Sequence, residues 1–180
     1  MTGPFTALNR SRLNKHPRGR IWLYLTAAAI LAVITPRTLP LLVWNATASA
    51  PVGLYRVIPF AHVDRGNLVL AMAPIAVRTM AAERGYLPAG VPLVKHVAAL
   101  FRDQVCTTGH EITINGRPVA TRLSTDSHRR PLPHWQGCRM LARDEVFLLN
   151  APVRDSFDSR YFGPIRISAV MGRLIPLWTF

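Results

Sequence analysis

Lysine is almost absent from this chain. Of its 22 Lys and Arg residues only Lys15 and Lys95 are lysine, and the remainder are arginine. Arginine cannot act as a base at any ordinary pH, so an amine that accepts protons has few places to be. Acid is scarce as well, with nine Asp and Glu in 180 residues and none before Asp64. No zinc-finger spacing, basic-zipper heptad or aromatic RNA-binding signature occurs, so the formal charge of +13 does not point to nucleic acid, and no nucleic-acid partner is expected. Biased arginine usage and attraction to an anionic membrane surface account for the excess. Internal repeats and long low-complexity segments are also missing. A length of 180 residues suits one well-buried domain with a small appendage.

Nor is there an uninterrupted apolar run of the ~20 residues that span a bilayer. The run at 21–35 has 15 residues and is broken by Pro36-Arg37, but continuing to Trp44 gives 24 positions with one charge. Before it, residues 1–20 carry Arg10, Arg12, Lys15, Arg18 and Arg20 and no acid. A positive flank followed by an apolar segment predicts an N-in transmembrane anchor over 21–44, with 1–20 cytoplasmic and 45–180 on the periplasmic side of a bacterial inner membrane. A cleaved signal peptide competes with this reading, since Ala48-Ser49-Ala50 has the small-residue pattern of a cleavage site. Pro51 directly after it argues against cleavage there.

The two cysteines, Cys106 and Cys138, both follow the expected anchor, where an oxidising compartment favours a disulfide. The alternative is a metal site built from Cys106-x3-His110 and His134-x3-Cys138, whose spacing is not that of the common short zinc knuckles. From residue 51 the pattern is mainly β. Short runs rich in branched apolar residues at 53–57, 67–72, 93–100, 105–114, 146–150 and 165–174 read as strands. Asn115-Gly116 suits a type I′ hairpin turn. Residues 74–85, ending in glycine, read as the one soluble helix.

Lys95 lies inside the apolar run 91–101, and this placement makes it the first candidate for chemistry. A cation there must reach water with its head or lose its proton, and a neutral lysine is a base. Serine is its natural partner, because a hydroxyl is a poor nucleophile until a base takes its proton. Ser49 stands before a rigid bend, Pro51 to Gly53, that leads into an expected strand. Against this stand two plainer readings: a half-exposed strand lysine with a wet ammonium, and a juxtamembrane linker of small polar residues. Residues 154–163, Arg-Asp-Ser-Phe-Asp-Ser-Arg-Tyr-Phe-Gly, form either a solvated loop or a group of side chains that orients the base.

Ser49-Ala-Pro51-Val-Gly-Leu-Tyr55 after the apolar segment, Lys95 46 positions later, an Asn-Gly-Arg hairpin and then Asp158-Ser-Arg-Tyr-Phe-Gly163 occur in that order. The pattern resembles the type I signal peptidase family of Ser/Lys proteases over about residues 40–175, and more closely its conjugative-transfer branch, the TraF-type pilin-maturation peptidases. The resemblance implies a signal-peptidase-like β fold with one N-terminal transmembrane helix. It implies Ser49 as nucleophile, Lys95 as general base, and Asp158 counted with the catalytic set. It also implies Ser156 and Arg160 as supporting residues and Thr47 as a donor to the oxyanion. The expected substrate is an exported protein, a pilin precursor, at the inner membrane, with no cofactor. General signal peptidases place the proline three residues after the serine, whereas here it is two after, which favours the transfer branch. General signal peptidase is the alternative activity. A non-catalytic component of a transfer apparatus explains the anchor, charge and cysteines, but not the ordered Ser, Lys and Asp-Ser-Arg elements. A self-cleaving repressor calls for a DNA-binding helix pair where the apolar segment stands.

Overall fold

The computed structural model describes residues 21–26, 41–59 and 61–180. The chain divides into two units, Met1–Thr38 and Leu39–Phe180. In the first, residues 21–26 are helical. Residues 1–20 and 27–40, which hold the basic segment and most of the expected anchor, lie outside the described residues. No helix among the described residues is long and apolar enough to cross a membrane.

The second unit is mainly β. Its strands in chain order are β1 (Leu42–Asn45), β2 (Gly53–Ile58), β3 (Leu68–Ala71), β4 (Leu93–Ala99), β5 (Gln104–Thr108), β6 (Glu111–Ile114), β7 (Arg117–Thr121), β8 (Gly137–Met140), β9 (Glu145–Leu148), β10 (Ile165–Arg166) and β11 (Val170–Thr179). Helix α1 (Ile75–Glu83) and the single turn α2 (Ser159–Phe162) complete it. β1 corrects the expected anchor at its C-terminal end. Residues 42–44 do not continue a helix but pair antiparallel with β2, Leu42 opposite Arg56 and Asn45 opposite Gly53. β2 supplies the hydrogen-bond partners for the extended backbone of 42–45.

A seven-stranded sheet runs β1-β2-β11-β3-β4-β9-β10, and a four-stranded sheet runs β7-β6-β5-β8. Side chains alternate across a strand, and β3 shows it: Leu70 joins Tyr55, Val57, Val94 and Leu174 on one face, while Val69 and Ala71 join Val97, Val146 and Leu148 on the other. Both faces are therefore packed, which explains why these strands read as continuous apolar runs. A third cluster, Val105, Ile112, Ile114, Leu141, Phe147 and Leu149, packs the small sheet against β4 and β9. Truncating a fully buried leucine such as Leu70 to alanine costs about 2–5 kcal/mol.

Three strand expectations need adjusting. Residues 105–114 form two strands, because Gly109 at φ 59 turns the chain back on itself. Residues 165–174 divide into β10, a 3-10 turn at Ile167–Ala169 and β11, which continues past Pro176 on a bulge to Thr179. β8, Gly-Cys-Arg-Met, carries too few branched residues to be read as a strand and is recruited by pairing with β5. The Asn115-Gly116 turn has positive φ at both residues, 52 and 75, as a type I′ hairpin requires. Gly53 is required where it stands: a Cβ there would fall 2.1 Å from Trp178 O, so only glycine lets β11 close on the start of β2.

Cys106 lies directly opposite Cys138 across β5 and β8, and the two form a disulfide. Both sulfurs are spent in the bridge, so the metal half-sites fall. Closing a loop of sequence separation 32 stabilises the domain by about 4 kcal/mol on chain-entropy grounds. Denaturant unfolding with and without reductant should differ by that amount, and the intact oxidised chain should migrate faster than the reduced one on a gel. Equal stability and mobility in the two states would show that the thiols do not pair in solution.

Candidate active site

Lys95 sits in the middle of β4 opposite Val69 of β3, a position that buries its stem in the sheet and leaves it 3% exposed. Its ammonium is met by two hydroxyls: Nζ donates to Ser49 Oγ and to Ser156 Oγ, each at 2.9 Å. Burial pushes its pKa down from 10.5 to about 8. The Asp158 carboxylate pulls it upward, the Arg160 guanidinium downward, and Asp155 upward. Asp158 and Arg160 form an ion pair whose opposite effects offset one another, so the loss of water decides the outcome. About a tenth of such a lysine is neutral at pH 7 and half of it at pH 8.

Ser49 is half-buried on the turn between β1 and β2, with Thr47 Oγ1 3.4 Å from its Oγ. At rest the Thr47 hydroxyl donates to Asn45 Oδ1 at 2.9 Å. The Tyr55 hydroxyl donates to Pro51 O at 2.6 Å and ties the far side of the turn to β2. Sequence reading found Ser49 and Thr47 but not Asn45 or Tyr55. Their side chains serve the backbone of a turn, and that role becomes visible only once the turn has a shape.

Ser156 and Asp158 come from the loop before α2. Phe157 between them turns outward against Tyr86, Tyr161 and Phe162, with ring centroids 5.5, 5.7 and 5.8 Å away. This aromatic seat fixes its two polar neighbours on the opposite side. Asp158 caps α2, accepting from Arg160 N, and its other oxygen accepts from Asn150 N at 3.0 Å. It makes no hydrogen bond to Ser49 or Lys95, and its closest partner is Arg160, whose Nε and Nη2 reach the two carboxylate oxygens at 2.8 and 3.0 Å. Arg160 is fully buried and satisfies all five of its donors. Besides the carboxylate, Nη1 donates to Thr121 O and Arg154 O, and Nη2 donates to Asn150 O.

Asn150 carries no signal of its own in the sequence beyond ending an expected strand at 146–150. Its Nδ2 donates to Val94 O at 3.2 Å and its Oδ1 accepts from His96 N at 3.1 Å, gripping β4 on both sides of Lys95. The same oxygen lies 3.0 Å from His96 Nδ1, which must then carry the ring proton. Lys95 is thus held from three sides: by the sheet, by the Asn150 side chain gripping the backbone of β4, and by Ser156.

The structure therefore brings Ser49, Lys95, Ser156 and Thr47 within a chain of hydroxyl and amine contacts, with Asp158 and Arg160 one layer behind. A buried amine near its pKa beside a half-exposed hydroxyl is an arrangement able to deprotonate that hydroxyl. Residues 18–178 match the family described as signal peptidase, peptidase S26, and the chain belongs to that family of peptidases. Its relatives include the plasmid transfer protein TraF of Escherichia coli, 36% identical over 146 residues covering 76% of this chain and 82% of that protein. The conjugal transfer protein TraF of Agrobacterium fabrum is 36% identical over 146 residues, 76% of this chain and 81% of its own. A signal peptidase I from Enterococcus faecalis, of known structure, is 20% identical and aligns over 64% of this chain and 98% of its own with a TM-score of 0.37.

Two measurements test the site. With lysine labelled at 13Cε the chain gives two signals, for Lys15 and Lys95. One should titrate near 8, the value to which burial brings Lys95, and should vanish in Lys95→Arg. The folded pKa lies below the unfolded one, so the unfolded chain binds the extra proton between about 8 and 10.5. Lys95 therefore costs about 3 kcal/mol of stability below that window, a cost relieved as pH rises through it. Two signals titrating together near 10.5 would show that Lys95 is solvated. Separately, Arg160→Met leaves the Asp158 charge buried without its partner and should lower the unfolding free energy by about 3–5 kcal/mol in denaturant titrations.

Proposed function

We propose that this protein is a membrane-anchored serine endopeptidase in which Ser49 is the nucleophile and Lys95 the general base, and that it processes an exported protein, a conjugative pilin precursor. The observation that carries the reading is the 2.9 Å approach of Lys95 Nζ to Ser49 Oγ in a place where burial brings the amine to about 8. The plasmid transfer and conjugal transfer named in the relatives support the choice of substrate. In this reading residues 1–20 are cytoplasmic, an anchor begins at residue 21 and ends before β1, and the β domain faces the periplasm of a single-pass inner-membrane protein.

Neutral Lys95 takes the Ser49 hydroxyl proton as Oγ bonds to the scissile carbonyl carbon. The tetrahedral oxyanion is held by the Ser49 backbone N–H and the Thr47 hydroxyl, each donor worth about 3 kcal/mol. Protonated Lys95 gives its proton to the leaving amine as the C–N bond breaks, and an ester to Ser49 remains. Water then attacks the ester, Lys95 takes its proton, and Ser49 Oγ leaves with a proton returned from Lys95. If an amine of the same substrate attacks in place of water, the product is a cyclic pilin. Ser156 holds the amine in place through both halves. Asp158 and Arg160 act through position, as they touch neither Ser49 nor the amine. An extended substrate pairs with an open strand edge beside the nucleophile, and β1, paired among the described residues with β2 alone, offers one.

Mass spectrometry of the pilin precursor, from membranes carrying wild-type protein, Ser49→Ala or Lys95→Arg, tests this directly. Both variants should fold and leave the precursor uncut. A wild-type product one water lighter than the trimmed linear peptide would identify cyclisation. Normal processing by either variant would remove the assignment of Ser49 and Lys95.

A further inference from the structure

Asn45 is the last residue of β1 and is 4% exposed, in a segment that by composition reads as a linker. Its side chain holds the Ser49 turn at both ends. Nδ2 donates to Thr47 O at 3.0 Å, Ala50 O at 3.1 Å and Pro51 O at 3.0 Å, while Oδ1 accepts from Thr47 N at 3.3 Å and Thr47 Oγ1 at 2.9 Å. The last ladder pair of the hairpin is Asn45 with Gly53, so the residues between them have no sheet register to fix them. Among the described residues, the only other side chain bonded to the turn's backbone is Tyr55, at Pro51 O. Val52 O accepts from Phe180 N at 3.0 Å, and across the stretch from Thr47 to Pro51 the Asn45 amide substitutes for the missing ladder.

The orientation of that amide is not free. Three carbonyl oxygens surround one end, and only the NH2 end can meet them, its two protons shared among the three. Oδ1 must then face Thr47 and can only accept, so the Thr47 hydroxyl commits its proton to Asn45 and turns its lone pairs toward Ser49. While Lys95 is charged it donates to Ser49 Oγ, and the Ser49 proton points to Thr47 Oγ1, 3.4 Å away. When Lys95 loses its proton, the Ser49 proton can swing to Nζ with no movement of the turn. Donation by Thr47 to an oxyanion requires release of the Asn45 bond.

From this geometry we infer that Asn45 is a positioning residue for the nucleophile: it holds Ser49 Oγ at bonding distance from Lys95 and sets the direction of the hydroxyl chain through Thr47. The inference rests on the reading of Ser49 as nucleophile. It acts on kcat rather than on substrate binding, because a misplacement of the reacting atom by about 1 Å costs on the order of 10²-fold in rate.

The test is steady-state cleavage of the purified pilin precursor by the full chain, comparing wild type, Asn45→Ala, Asn45→Asp and Ser49→Ala, with the 13C lysine titration recorded for each. Asn45→Ala should lose about 10²-fold in kcat, keep KM, and keep the Lys95 signal titrating near 8. Asn45→Asp keeps the acceptors for Thr47 but faces the three carbonyls with an oxygen. It should lose kcat similarly, and its added negative charge should move the Lys95 titration and the pH–rate limb upward together. Unchanged kcat in both variants would overturn the inference. So would collapse of the Lys95 titration in both, since Asn45 would then support the whole domain and not the turn. If Ser49→Ala itself still cleaves, the failure belongs to the reading of Ser49 and not to Asn45.

Discussion

One amine is kept out of water, and much of the large sheet's polar interior is arranged around it. Lys95 could snorkel to solvent from a half-exposed strand, but β3 on one side and the loop before α2 on the other close over it. Its protonated form then costs about 3 kcal/mol, a sizeable part of the 5–15 kcal/mol by which a domain is stable. Two hydroxyls are what the fold offers in return. They are weak partners for a cation, and that weakness leaves the amine near neutrality, whereas a carboxylate in place of either would hold it charged.

A second buried cation sits close by with the opposite treatment. Arg160 receives a carboxylate and three backbone carbonyls, and so keeps its charge without strain on the hydrogen-bond inventory. Those carbonyls belong to β7, to Asn150 two residues past the end of β9 and to the loop at 154, so the guanidinium fastens the small sheet to the loop that presents Ser156. Replacing this fork by a lysine would leave most of these groups unpaired. The near-exclusive use of arginine elsewhere and of lysine at position 95 thus matches the two tasks.

The strands with branched residues on both faces were readable because packing on both sides of the large sheet leaves no polar stripe to confuse the pattern, as in 67–72 and 93–100. Lys95 was readable for a related reason, as a lone lysine inside an apolar run, whereas Ser156 was expected only from the family resemblance. β1 was not: Leu42-Val-Trp44 is apolar on both faces and continues an apolar run, so helix and strand are indistinguishable until β2 claims it. Asn45 and Asn150 were hidden for another reason. Each satisfies backbone groups of segments distant in sequence or irregular in shape, and no spacing rule encodes that. The disulfide was legible from compartment and count, and its register on β5 and β8 was not, since β8 has no strand signature of its own.

The position of β11 in the sheet has a consequence for assembly. The hairpin bearing Ser49, β1 with β2, and the pair bearing Lys95, β3 with β4, do not touch as sheet neighbours; β11 lies between them and hydrogen-bonds to both. The strand that joins the two halves is formed from residues 170–179, more than 70 positions beyond β4 in the chain. The serine hairpin and the pair bearing the amine therefore stay unjoined within the sheet until β11 pairs with both. Contacts between residues so far apart in sequence close slowly. The approach of Ser49 to Lys95 thus waits on the pairing of β11 with both halves.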